Sequence, residues 1–154
     1  INTKSFTIYF VDIGKLQKEI VERYKEEYRV MLYKIYMVKI ACQIADTDKQ
    51  KFLGMGNSWG QVASQTPKNI YVTDRCSSLP IFCPLIGSNK SEIIELGKKV
   101  GTYEKSICNS NDCCVMYIPD KPVLNASEKY IDYVISAIGN VDKFIKICKV
   151  LIFE

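Results

Sequence analysis

A chain of 154 residues, 47% apolar and 25% charged, has the make-up of one soluble globular domain long enough to bury a core. The net charge of +4 permits contact with a polyanion without demanding one, and no apolar run is long enough for a membrane-spanning helix, so no membrane partner is expected. Histidine is absent, which excludes a Ser-His-Asp triad, a Cys-His dyad and His-ligated zinc within these residues.

In chain order, Ile1-Asn2-Thr3-Lys4 lacks the pattern of a signal peptide, and a cytoplasmic location is expected. Phe6 to Val11 is β-branched and aromatic and reads as a buried strand. From Asp12 to Tyr28, Ile13, Leu16, Ile20, Val21 and Tyr24 recur at helical spacing with charge on the other face, the pattern of an amphipathic surface helix. Arg29 to Ala45 is apolar on most sides and predicts a second, deeply placed helix. Lys34 sits in its central turns, either paired with something or snorkelling outward along its own stem. Ala45-Asp46-Thr47-Asp48 ends that helix, and Lys51 to Gly54 reads as a short strand. Thr66-Pro67 is an N-cap followed by proline at the first helical position, opening a short helix to about Asp74. Leu79 to Leu85 suits a strand ending in a turn. Asn89 to Glu92 is a capping box for a helix that Gly101 stops. Lys105 to Pro122 is irregular. Asn125 to Glu128 is a second box, opening a helix interrupted at Gly139, and Val141, Phe144, Ile145 and Cys148 continue at helical spacing before a terminal strand, Val150 to Phe153. Alternating strands and helices argue for an α/β domain with a mainly parallel sheet, where ligands bind at the carboxyl ends of strands.

Two stretches carry chemistry. Gly54 to Thr66 places glycines among Asn57, Ser58, Gln61, Ser64 and Gln65 at the end of a strand. Glycine lets backbone approach a ligand closely, and neutral amides and hydroxyls give uncharged hydrogen bonds that suit a nucleotide or a sugar. A plain glycine-rich surface turn is the competing reading. The second stretch is Cys108-Asn-Ser-Asn-Asp112-Cys113-Cys114. The chain has seven cysteines, an odd number, which argues against a disulfide framework. Cys42 and Cys148 sit among apolar neighbours and are expected in the core. Three cysteines in a polar loop suit a reactive thiol. Metal or iron–sulfur ligation is the alternative, although neighbouring side chains point apart and no CxxC pair exists, so no zinc site is expected.

Gly56-Asn-Ser-Trp-Gly-Gln-Val-Ala-Ser-Gln-Thr66 resembles the glycine-rich signature of the tRNA 4-thiouridine synthetase family. Pro84-Leu85-Ile86-Gly87, Gly101-Thr102-Tyr103-Glu104 and Asp112-Cys113-Cys114 follow at the family's spacing, and Met37-Val38-Lys39-Ile40-Ala41 resembles its helix upstream. The resemblance runs from about Phe6 to Pro122. It implies a three-layer α/β domain of the PP-loop ATP pyrophosphatase class, adenine nucleotide alpha-hydrolase-like, which uses ATP with magnesium to adenylate uridine 8 of tRNA. A persulfide from a sulfur donor then displaces AMP. Lys34, Gly56 and Gln65 are the implied nucleotide contacts. Cys113 is the implied catalytic thiol, with Cys114 as substitute and Cys108 as a resolving thiol. The pathway implied with tRNA thiolation is thiamine biosynthesis.

Some positions depart from the pattern. Asn57 stands where the family has glutamate, Cys83 where it has arginine, and Lys34 gives a point charge where the family usually has a bidentate arginine. The Ser-Gly-Gly-x-Asp-Ser phosphate loop and the THUMP region are not among residues 1–154, so the expected domain is incomplete at its amino terminus. Its open sheet edge would call for a partner chain, a homodimer being one such arrangement. Two rivals follow from these departures: a non-catalytic nucleotide- or tRNA-binding relative, and an iron–sulfur scaffold.

Overall fold

The molecule is built around α2 (Arg29–Thr47), whose Met31, Leu32, Ile35, Tyr36 and Ile40 are almost wholly buried. In the computed structural model, which describes residues 5–108 and 117–153, the chain begins with β1 (Ser5–Asp12) and α1 (Gly14–Arg23) and passes a 3-10 turn at Glu26–Tyr28 into α2. It continues through β2 (Leu53–Gly54), a 3-10 turn at Ala63–Gln65, α3 (Pro67–Asp74), β3 (Ile81–Phe82), α4 (Lys90–Lys99), α5 (Tyr103–Ser106), α6 (Glu128–Ile138) and β4 (Lys146–Phe153). Leu16 and Ile20 of α1, Val72 of α3 and Ile131, Val134 and Ile138 of α6 close on α2 to form the core. Each such side chain contributes about 1.5–3 kcal/mol by leaving water. No described helix is long and apolar enough to cross a membrane.

The caps at Thr66 and Asn89 form where the sequence puts them. Thr66 accepts from the Asn69 N–H, and Asn89 and Glu92 bond each other's backbone reciprocally. Elsewhere tertiary contacts redraw the expected boundaries. The helix expected from Asp12 to Tyr28 stops at Arg23, with Tyr24 extended, because the Lys25 N–H is taken by the Tyr130 hydroxyl at 2.8 Å instead of a helical carbonyl. The cap of α6 is Ser127 rather than Asn125; the Ser127 hydroxyl accepts from the Tyr130 N–H. The strand expected over Leu79 to Leu85 shrinks to Ile81–Phe82.

The largest departure is after Gly139, whose φ of 64° ends α6. The spacing of Val141, Phe144, Ile145 and Cys148 is helical, yet the terminal strand expected over Val150 to Phe153 forms and begins already at Lys146, running along β1, antiparallel from Asp12↔Lys146 to Ser5↔Phe153. The β-branched Ile147 and Val150 fit an eight-residue edge that β1 offers. Cys148, expected in the core, is therefore exposed, whereas Cys42 is buried as expected. The α/β character holds. Among the described strands, however, parallel pairing is confined to Leu53↔Ile81 and Gly54↔Phe82, and the longer pair is antiparallel. Each described strand pairs on one side only. An open apolar groove of about 550 Å³, lined by Tyr9, Val11, Met37, Ile44 and Leu53, separates β1 from β2.

Candidate nucleotide site

The parallel pair sets the start of the glycine-rich loop. Leu53 N–H bonds Pro80 O and Met55 N–H bonds Phe82 O, both at 2.9 Å, so the two strands end side by side. The loop is then held on its far side, where the Ser58 hydroxyl donates to Ser88 O at 2.6 Å and the Trp59 N–H to Ile86 O at 3.1 Å. Gly60, at φ 71°, supplies the reversal that lets its N–H reach Gln65 O at 3.1 Å. The loop is thus no plain surface turn. Asn57, Ser58 and Ser64 are buried, and a buried polar group must find partners.

Lys34 supplies two of those partnerships from below. Its Nζ donates to Asn57 Oδ1 at 2.9 Å and to Ser64 O at 3.1 Å, joining the outgoing and returning limbs of the loop. The ammonium therefore ends beneath the loop rather than running out to water. Burial lowers its pKa from the ordinary lysine value, with Asp74 and Cys83 pulling the other way. The Asp74 carboxyl is raised, chiefly by burial, with Lys34 opposing. Asn57 also donates through Nδ2 to Cys83 Sγ at 3.4 Å, so the two residues that depart from the family pattern are in contact with each other.

The two other expected contacts differ in exposure, Gly56 being open to solvent and Gln65 partly covered. An added Cβ at Gly56 would meet no described atom within 4 Å, so the protein's own packing does not require glycine there. Gln65 is half-buried, and no described donor reaches its buried Oε1. A buried carbonyl without a donor costs about 1–3 kcal/mol, and an incoming N–H would relieve that. Lys34, Gly56 and Gln65 thus belong to one loop and its support.

Cys113 and Cys114 lie outside the described residues. Cys108 is exposed, with Sγ 3.2 Å from Glu104 O. Among the described residues no group of three or more His, Cys, Asp or Glu side chains is placed to hold a metal ion. Sequence reasoning passed over Asn69, which is fully buried in α3 and bonded to both the loop and the segment before α6. An amide flanked by Ile70 and Val72 on the inner face of a helix was the available signal, since a buried polar residue is the informative exception.

A parallel strand pair opening into an amide-lined loop, seated on a buried helix, makes this an α/β domain with its polar loop at the carboxyl end of a strand. The chain belongs to the thiamine biosynthesis protein (ThiI) family, whose model matches residues 2–138. It is 43% identical over 119 residues to a probable tRNA sulfurtransferase of Alkaliphilus oremlandii (strain OhILAs), covering 77% of this chain and 30% of that protein. It is 41% identical over 138 residues to the probable tRNA sulfurtransferase of Caldanaerobacter subterraneus subsp. tengcongensis, covering 84% and 36%. The chain therefore spans about a third of the length of the curated relatives it matches. Among solved structures it is similar to a crystal structure of a 4-thiouridine synthetase–RNA complex with bound ATP, at a TM-score of 0.84 and 28% identity, over 95% of this chain and 40% of that one.

Proposed function

We propose that these residues form part of the catalytic domain of a tRNA sulfurtransferase. ATP activates uridine 8 of tRNA, and sulfur from a persulfide then replaces the activated oxygen to give 4-thiouridine. The observation that carries this reading is the likeness, over nearly the whole chain, to a synthetase with RNA and ATP bound.

The loop's chemistry supports the nucleotide part. The Gln65 Oε1 acceptor, which no described donor reaches, suits the amino group of adenine once the side chain turns outward from its buried position. Gly56 leaves room for a ligand to lie against backbone. Lys34 fixes both limbs of the loop, so its contribution to ATP is to hold that shape before ATP arrives. ATP enters with magnesium, which binds largely through substrate phosphates. In the first step the uridine carbonyl oxygen attacks the α-phosphorus, an O–P bond forms and pyrophosphate leaves. In the second, a sulfur nucleophile attacks the same ring carbon, the C–O bond breaks and AMP leaves. Cys113 is the proposed carrier: its thiolate takes the terminal sulfur of a donor persulfide, releasing the donor thiolate, and that outer sulfur attacks the adenylated base as AMP leaves. A second thiol, Cys108 as the resolving cysteine, then attacks the Cys113 sulfur, which breaks the S–S bond and leaves the sulfur on the base. This forms a Cys108–Cys113 disulfide that an external thiol reductant reopens. Cys114 is the neighbour able to substitute.

The test uses the longest natural polypeptide that carries this chain, with tRNA, ATP and a persulfide donor, and reads 4-thiouridine by mass spectrometry of digested tRNA. Cys113→Ser is expected to abolish persulfide-dependent thiolation while ATP binding persists. No 4-thiouridine from the folded wild type would overturn the reading. Full activity in the double variant Cys113→Ser/Cys114→Ser would overturn the thiol assignment.

A further inference from the structure

Between the loop and the described segment that follows Cys113 and Cys114 stand two side chains, Asn69 and Thr66. The Asn69 Nδ2 donates to Ala63 O, on the returning limb of the loop, and to Val123 O, both at 2.8 Å. Its Oδ1 accepts from the Ala126 N–H at 2.9 Å. The Thr66 Oγ1 donates to Leu124 O at 2.7 Å and accepts from the Asn69 N–H at 3.2 Å. The amide thus uses both donors and its acceptor to join two stretches of backbone far apart in sequence. On its other side the segment is held by the Val123 N–H on Glu27 O at 2.9 Å and the Ser127 N–H on the Tyr28 hydroxyl at 3.2 Å.

An apolar side chain at position 69 would fill the same space, but apolar contacts tolerate sliding, whereas directional hydrogen bonds in a dry interior fix separation and orientation together. From this arrangement we infer that Asn69 and Thr66 are positioning residues that couple the glycine-rich loop to the segment following Cys113 and Cys114. The inference rests on the nucleotide reading above. ATP held at Gly56 and Gln65 would steady the returning limb, and the Asn69–Thr66 clamp would pass that order to residues 117–127. Sulfur delivery would then be timed to activation of the base. If the clamp is broken, the adenylated base waits for sulfur in a looser site. Water then attacks the ring carbon, AMP leaves, and one ATP has been spent, its pyrophosphate released, with unmodified uridine returned.

Hydrogen exchange followed by mass spectrometry, on the longest natural polypeptide that carries the chain and with ATP as the probe, tests the coupling directly. ATP is expected to slow exchange in residues 57–66 and also in 117–127 of the wild type. In Thr66→Val, protection of 57–66 should remain while protection of 117–127 is lost, and Thr66→Ser should restore it. Asn69→Asp, which replaces the donors to two carbonyls by a carboxylate, should behave like Thr66→Val where it folds. In the thiolation assay both variants should release several-fold more pyrophosphate per 4-thiouridine, whereas a merely structural role lowers the two products in step. An ATP response confined to 57–66 in the wild type would overturn the coupling, as would an unchanged product ratio in Thr66→Val. Failure of 57–66 to respond at all would instead remove the nucleotide reading, and this inference with it.

Discussion

Helices α3 and α4 make an instructive pair. The apolar positions Ile93 and Leu96 of α4 and Val100 at its C-cap follow a clean helical spacing, and its capping box forms as the sequence requires. Yet none of its residues is buried, and its apolar side faces an open cleft of about 670 Å³ shared with Leu85, Tyr103 and Ile107. The shorter α3 mixes Lys68, Asn69 and Thr73 among its apolar residues and shows little amphipathic pattern, but Asn69, Ile70, Val72 and Thr73 are all buried. Periodicity decides that a helix forms and which face it offers. Whether that face is covered depends on what the chain brings to it. The loop, α2 and the segment before α6 all converge on α3, whereas α4 rests on its own caps and α5.

The sharpest way to break this contrast is to truncate one apolar side chain in each helix. Ile70→Ala, on the buried face of α3, is expected to cost about 2–5 kcal/mol. Leu96→Ala, on the exposed face of α4, should fall within about 0.5 kcal/mol of wild type. Urea midpoints at constant m-value measure both; equal losses would show that α4 is covered in solution. A smaller effect is expected at the support of the loop. Lys34→Met removes the donor to Asn57 Oδ1 and Ser64 O, and with water restoring part of what is lost the net cost is about 1–3 kcal/mol. Unchanged stability together with unchanged ATP affinity would return Lys34 to a merely peripheral role.

Smaller again is the cap of α4. Asn89→Ala should lower stability by about 1 kcal/mol and fray the helix start without altering the loop. This cap was legible in the sequence because it is built within four residues, and so was the Thr66-Pro67 start of α3. The α2 core was legible from apolar density alone. What sequence could not supply were the partners that arrive from far along the chain. Tyr130 ends α1 by bonding Lys25, and β1 draws the residues from Lys146 to Lys149 out of an apparently helical spacing into the strand. Of the site, the loop and Lys34 were legible by composition and resemblance. The contacts that organise them, Asn57 to Lys34 and Asn69 to Ala63 and Val123, depend on register between α2, α3 and two loops. Cys113 and Cys114 remain a reading of the sequence.

The smallest expected effect concerns the join between the β1–β4 ribbon and the end of α2. The Tyr9 hydroxyl donates to Asp48 Oδ2 at 2.6 Å and the Lys149 ammonium lies 3.1 Å from Oδ1. These two partners, Tyr9 first, hold the Asp48 carboxyl below its ordinary value of 3.8. A carboxyl whose folded-state pKa is depressed binds fewer protons folded than unfolded. Its stabilisation is therefore complete above the unfolded value and is lost as pH falls through the folded one. Because Asp48 is solvent-facing, the effect is modest and screened by salt. Wild type should exceed Asp48→Asn in stability near neutrality, and the gap should close on the acid side, below the ordinary carboxylate range. Denaturant melts of the two proteins across that range measure it. A gap that persisted undiminished into strong acid would mean that the asparagine loses packing rather than charge, and that the ribbon is held by its strand pairing alone.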